Sequence, residues 1–154
     1  MATGIGEYLN KLESNKAQIS RQTGISTSRI NTLCNHPDSK PYADEYYKII
    51  LTAINNAGLD ENHFNTAIQE IFPNLIKVNL LDKYKDLSPE ARFFKKYTLQ
   101  QKDIESKLNI PPGKISKYYN DKNKRTLATE LITFAIALDL NVLVAFKEIY
   151  GDLS

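Results

Sequence analysis

The stretch QKDIESKLNIPPGKISKYYND, Gln101 to Asp121, decides how this 154-residue chain is read. Ile104 and Leu108 stand four apart, and Ile115 and Tyr118 three apart, spacings that place side chains on one face of a helix. Asn109-Ile110-Pro111-Pro112 lies between the two pairs. Asn tolerates the left-handed conformation that ends a helix. Ile110 is apolar and is expected to tuck back into a core. The two prolines suit the first turn of a helix, whose amides have no intrahelical partner. Two short helices across a tight turn are therefore expected, the second rich in lysine.

The same shape occurs earlier. Shifting the chain by 85 residues places Ile19, Ile25 and Ile30 on Ile104, Ile110 and Ile115. Leu33 falls on Tyr118, Asn35 on Asn120, Ala43 on Ala128 and Glu45 on Glu130. Six of these seven pairs are identities, and no gap is needed from about Asn15 to Ile54. In the first unit Thr23-Gly24-Ile25 supplies the turn, with Gly24 left-handed, and Ser26 is suited to cap a helix Thr27–Cys34. A repeated pattern of this length predicts two related units rather than one large one.

The flanking sequence extends the correspondence. HPDSKPYADEYYKIILTAINNAG and DKNKRTLATELITFAIALDLN each read as a polar loop followed by an amphipathic helix. FNTAIQEIF and VLVAFKEIY each read as a closing helix, and GIGEYLNKLES and SPEARFFKKYT as an opening one. Asn55–Asn62 is expected to lengthen the fourth helix of the first unit or the loop after it. Ser88-Pro89-Glu90 carries a capping serine, a proline at the first helical position and an acid in the first turn. The expectation is an all-α protein of two tandem small helical domains with about five helices each. Their bounds are 1–73 and 88–154, joined by a connector at 74–87 with a short ordered piece in IKVNLLDKY.

Composition agrees with a globular class. Apolar residues make up 42% and charged residues 25%, a balance that differs from a disordered chain. The N-terminus has no apolar run resembling a secretory signal, and one cysteine, Cys34, rules out an internal disulfide framework. A cytoplasmic location is expected. The charge is unevenly placed: residues 1–75 hold six Lys/Arg against eight Asp/Glu, while residues 76–154 hold fourteen against ten. Nine basic and three acidic residues lie between Lys95 and Arg125, the kind of excess a polyanion-binding face leaves. A solvated lysine-rich surface has the same composition.

Two helices across a tight turn, closed by two or three more, is the helix-turn-helix plan. The chain resembles the lambda-repressor-like (Cro/XRE) family of DNA-binding domains, at residues 5–72 and again at 88–150. LQQKDIESKLNIPPGKISKYYND is the closer copy, with Asp121 where the family's Gly is usual; the first copy has Lys16 at the helix-opening Gln position and His36-Pro37 after Asn35. The resemblance implies a sequence-specific transcriptional regulator that binds double-stranded DNA, with helix 3 offering side chains to base edges and helix 2 and the next loop holding phosphates. Base contacts are then expected from Thr27, Ser28, Arg29, Asn31 and Thr32, and from Lys114, Ser116 and Lys117. Phosphate contacts are expected from Lys16, Asn35, Lys40, Gln101, Asn120, Lys122, Lys124 and Arg125. Asn35 and Asn120 have helix termination as their alternative role. Pro112 and Gly113, at the second unit's reading positions, offer no side-chain donor, so the first unit is expected to read sequence and the second to add affinity. The two units are expected to act as a pseudo-dimer on unlike half-sites; a homodimer of the whole chain would favour a palindrome instead. The rival reading is a protein-interaction module of the antitoxin or anti-repressor type, toward which the −2 balance of the first unit points.

No catalytic, cofactor or metal set stands out. His36 and His63 lack a Cys or carboxylate at ligand spacing. Gly4-Ile5-Gly6 follows no strand and makes a poor phosphate loop, and Asp121–Arg125 lacks the Gly and Glu of a calcium loop. Cys34 is expected to be a buried structural thiol. The chain is not expected to be an enzyme.

Overall fold

The computed structural model describes residues 2–120 and 125–153. It is all-α: α1 (Gly4–Lys11), α2 (Lys16–Thr23), α3 (Thr27–Asn35), α4 (Ala43–Asn56) and α5 (His63–Ile71) precede the connector. After it come α6 (Pro89–Lys95), α7 (Gln101–Leu108), α8 (Lys114–Asn120), α9 (Ala128–Ala137) and α10 (Val142–Tyr150). The connector holds one 3-10 turn, Asp82–Tyr84, and no β-strand occurs among the described residues.

The helix ends follow from side-chain chemistry. Thr3, Asn15, Ser26, Ser88 and Asn141 each accept a hydrogen bond from an amide in the first turn of the helix they precede. Thr3 and Ser88 are 85 apart, so the repeat register reaches back to the opening helices. Gly24 (φ 78°) and Asn109 (φ 56°), also 85 apart, both take the left-handed conformation that ends helix 2. Pro111 and Pro112 differ from expectation: α8 starts only at Lys114, because Gly113 at φ 85° breaks the helical path. The buried Glu105 carboxylate on α7 compensates by accepting the Ile115 amide at 3.0 Å.

The connector does not divide the apolar core. Ile5, Leu9, Ile19, Ile30, Leu33, Tyr46, Tyr47 and Phe64 from the first half share one cluster with Ile132, Leu143 and Phe146 from the second. The Phe146 ring centre lies 5.3 Å from that of Phe64 and 5.8 Å from that of Tyr47, and the Tyr47 hydroxyl donates to the Gly151 carbonyl at 2.6 Å. A smaller cluster joins Ile104, Leu108, Ile110, Ile115 and Ala137, with Val78 and Leu80 of the connector packed on it.

The halves meet symmetrically. The Ala43 amide donates to the Thr126 carbonyl at 2.7 Å, and the Ala128 amide to the Pro41 carbonyl at 3.0 Å, forming an antiparallel bridge between Tyr42 and Leu127. Ala43 and Ala128, Pro41 and Thr126, Tyr42 and Leu127 are all repeat mates. Exchanging the halves leaves this pattern unchanged, as at the isologous contact of a two-fold dimer. Around it α4 packs on α9 and α5 on α10.

Candidate nucleic-acid interface

Helices α2 and α3 pack on each other across the Gly24 turn, as do α7 and α8 across Asn109. In the first pair Ile19 and Ile30 are fully buried, which leaves the opposite edge of α3 outward. Thr27, Ser28 and Asn31 are exposed there. Thr32 is half-buried, its hydroxyl donating to the Ser28 carbonyl at 3.0 Å. Thr27, Ser28 and Asn31 thus form one polar, accessible edge on the first helical turns, rich in short donors and acceptors.

Arg29 is arranged differently. Its Nε and Nη2 donate to the Glu45 carboxylate at 2.8 and 2.9 Å, a two-pronged pair between α3 and α4. Glu45 also accepts the Tyr42 amide at 3.0 Å, which caps α4. Burial pushes the Glu45 carboxyl up, but Arg29 and the Tyr42 amide outweigh it and hold it below its ordinary value. The hydrogen bond that Arg29 donates to Glu45 is in turn the main cause that raises the Arg29 guanidinium.

The second unit repeats the pair: Lys114 Nζ lies 2.7 Å from Glu130, and both residues stand 85 positions after Arg29 and Glu45. Glu130 additionally accepts the Tyr118 hydroxyl. That places Tyr118 in the packing rather than on a base-facing edge. Ser116 is half-buried and shares hydrogen bonds with the Asn120 side chain, while Lys117 is exposed. Because Pro112 and Gly113 precede α8, helix 3 of the second unit begins two residues later in the repeat register than that of the first.

The residues expected at phosphates divide three ways. Asn35, Lys40, Gln101 and Asn120 are exposed and Lys16 is half-buried. Arg125 donates to both Asp44 carboxylate oxygens, at 2.8 and 3.0 Å, with its guanidinium 4.0 Å from the centre of the Tyr42 ring. It therefore ties one half to the other. Lys122 and Lys124, like the Asp121 start of the calcium-loop echo, lie outside the described residues.

Glu45, Glu130 and Asp44 complete this surface and were missing from the residues expected of it. A signal for two of them existed, since Glu45 and Glu130 are identical repeat mates spaced equally from a basic residue on helix 3. Cys34 is wholly buried, as expected. No helix among the described residues is long and apolar enough to cross a membrane. The chain matches no family model, no curated protein and no solved structure.

Proposed function

We propose that this chain is a cytoplasmic protein that binds duplex DNA through two helix-turn-helix units and acts as a sequence-specific transcriptional regulator. The observation that carries this reading is the doubled geometry: two helix pairs with left-handed turns at Gly24 and Asn109, held in fixed relation by the reciprocal bridge at Tyr42 and Leu127. A two-fold arrangement of helix-turn-helix units suits two half-sites one helical turn apart, about 10 bp. Thr27, Ser28 and Asn31 supply base-edge hydrogen bonds from the first unit, and Lys117 with the exposed Lys40 and Gln101 supplies phosphate contacts. Because the outward edges of α3 and α8 differ, unlike half-sites are expected.

The test is selection of bound duplexes from a random library at low and near-physiological salt. An enriched motif that survives the higher salt supports a sequence-specific regulator, and recovery without enrichment reduces the reading to non-specific association. Recovery at neither salt sinks it. The second reading, a protein-interaction module, draws on the ion pairs: Arg29, Lys114 and Arg125 are each neutralised within the chain.

A further inference from the structure

The repeat register exposes an anomaly on α6. Tyr8, Leu9 and Leu12 of the first unit correspond to Phe93, Phe94 and Tyr97 of the second, and Cys34 corresponds to Tyr119. Tyr8 and Leu9 are 5% and 1% exposed, yet Phe93, Phe94 and Tyr97 are 49%, 66% and 75% exposed. Tyr119 is 61% exposed where Cys34 is wholly buried. The second unit keeps its core small with Val78 and Leu80 and leaves α6 with no buried residue. Four large aromatics therefore face outward at positions whose mates close a core.

Their charged neighbours along α6 are mostly cations, while Asp82 and Asp139 line a cleft beside Arg92, Phe93 and Lys96. From Ala91 to Lys102 the sequence ARFFKKYTLQQK has Arg92, Lys95, Lys96 and Lys102 and no carboxylate. Phe93 meets Phe94 and Tyr97 edge-on, with ring centres 5.7 and 5.5 Å apart, and Lys96 Nζ stands 5.6 Å from the centre of the Phe93 ring. Arg92 Nε is itself buried without a hydrogen-bond partner, and Lys95 Nζ stands 5.1 Å from the centre of the Tyr84 ring. A cleft of about 320 Å³ lies between Tyr97 and Tyr119, floored by Ile104, Phe134 and Leu138 with Lys96 at its edge. An apolar peptide would not use these cations, and a duplex presents no base faces to these rings. Alternating rings and cations are instead the surface on which unstacked bases lie while their phosphates are neutralised.

We propose that α6 and Tyr119 form a binding surface for single-stranded DNA, with bases stacked on Phe94, Tyr97 and Tyr119 and phosphates held by Arg92, Lys95, Lys96 and Lys102. The surface runs directly into the amino end of α7, where Gln101 is exposed. It rests on the reading as a DNA-binding protein only for the choice of DNA over RNA.

The test is fluorescence anisotropy of labelled dT20 with the full chain, beside a blunt hairpin duplex. Wild type is expected to bind dT20, and the double variant Phe94→Ala/Tyr97→Ala to bind it about tenfold or more weakly. Both side chains are mostly exposed, so the variant is expected to fold, which circular dichroism checks, and to keep wild-type duplex binding. The variant Phe94→Leu/Tyr97→Leu keeps apolar area but not flat rings, and should bind dT20 as weakly as the alanine pair. Lys40→Ala/Lys117→Ala should weaken duplex binding and leave dT20 binding intact. Failure of wild type to bind duplex while dT20 binding is retained would sink the regulator reading and support this one. Absence of dT20 binding, rescue by leucine, or equal loss of duplex binding in the alanine pair would each overturn it. So would concentration-dependent self-association or binding to anionic vesicles that the alanine pair abolishes while dT20 binding is unchanged.

Discussion

Arg29 shows how a residue's neighbour changes what it can do. A free guanidinium on helix 3 would make a fork for guanine, but the Glu45 carboxylate takes two of its donors. Glu45→Gln is expected to cost about 2 kcal/mol at neutral pH, since it weakens a charge-assisted pair and the cap of α4 together. The pH dependence has a definite sign. Glu45 titrates below its ordinary value of 4.5, so its stabilisation is full above that value and is lost as pH falls through the lower folded one. Urea unfolding should show a wild-type advantage that is constant near neutrality and shrinks in acid; an advantage that grows in acid would contradict this. Tyr46 is the converse case. Its ring sits fully buried among Phe64, Phe72 and Phe146, but its hydroxyl has no hydrogen-bond partner. Tyr46→Phe removes an unpaired polar group and should raise stability by about 1 kcal/mol, or Tm by roughly 3 °C in a thermal melt. A lower Tm would mean that the hydroxyl is satisfied. The doubling of Glu45 and Glu130 was legible in the sequence, but their partners were not, because periodicity identifies buried faces and says nothing about which charge faces which.

Among the elements, the turns and the opening helices were legible, and the way the opening helices dock was not. Gly24 and Asn109 both announced a left-handed position, and both occupy one. Gly24→Ala and Asn109→Ala should each cost about 1 kcal/mol, whereas Asn109→Gly should be near neutral. Equal Tm values for wild type and the alanine variants would remove the strain argument. Pro111-Pro112 misled because proline fits a first helical turn locally, while Gly113 next to it takes a conformation no helix continues. In α1, Gly6 lies so close to the Cys34 carbonyl that a β-carbon would collide with it. The repeat mate of Gly6 is Ala91, and α6 has no buried residue. One methyl group at the inner face is a physical reason for two helices of equal register to dock differently.

On the scale of the whole molecule, all-helical architecture followed from apolar spacing, and the five helices found in each half among the described residues agree with it. The sharing of the core did not follow from the sequence. The periodicity of α9 and α10 marks Ile132, Leu143 and Phe146 as inward, but it does not say that inward means toward the first half. Phe146→Ala should therefore destabilise both halves, by about 3–5 kcal/mol in one cooperative transition. Two separate transitions, with only one displaced, would show that the halves fold apart. A fragment of residues 1–75 lacks the side chains that cover Tyr47 and Phe64. It should melt non-cooperatively by circular dichroism or expose apolar surface to a dye.

The placement of Phe146 also sets a clock on synthesis. Chains leave the ribosome at about 5–20 residues per second, and a domain that closes on itself folds as soon as it emerges. Here the aromatic centre of the first half waits for residues roughly a hundred positions downstream, so its first five helices spend some seconds with Tyr47 and Phe64 uncovered. The nascent chain is thus expected to pass through an interval with apolar surface uncovered, and its two halves to mature together rather than one after the other.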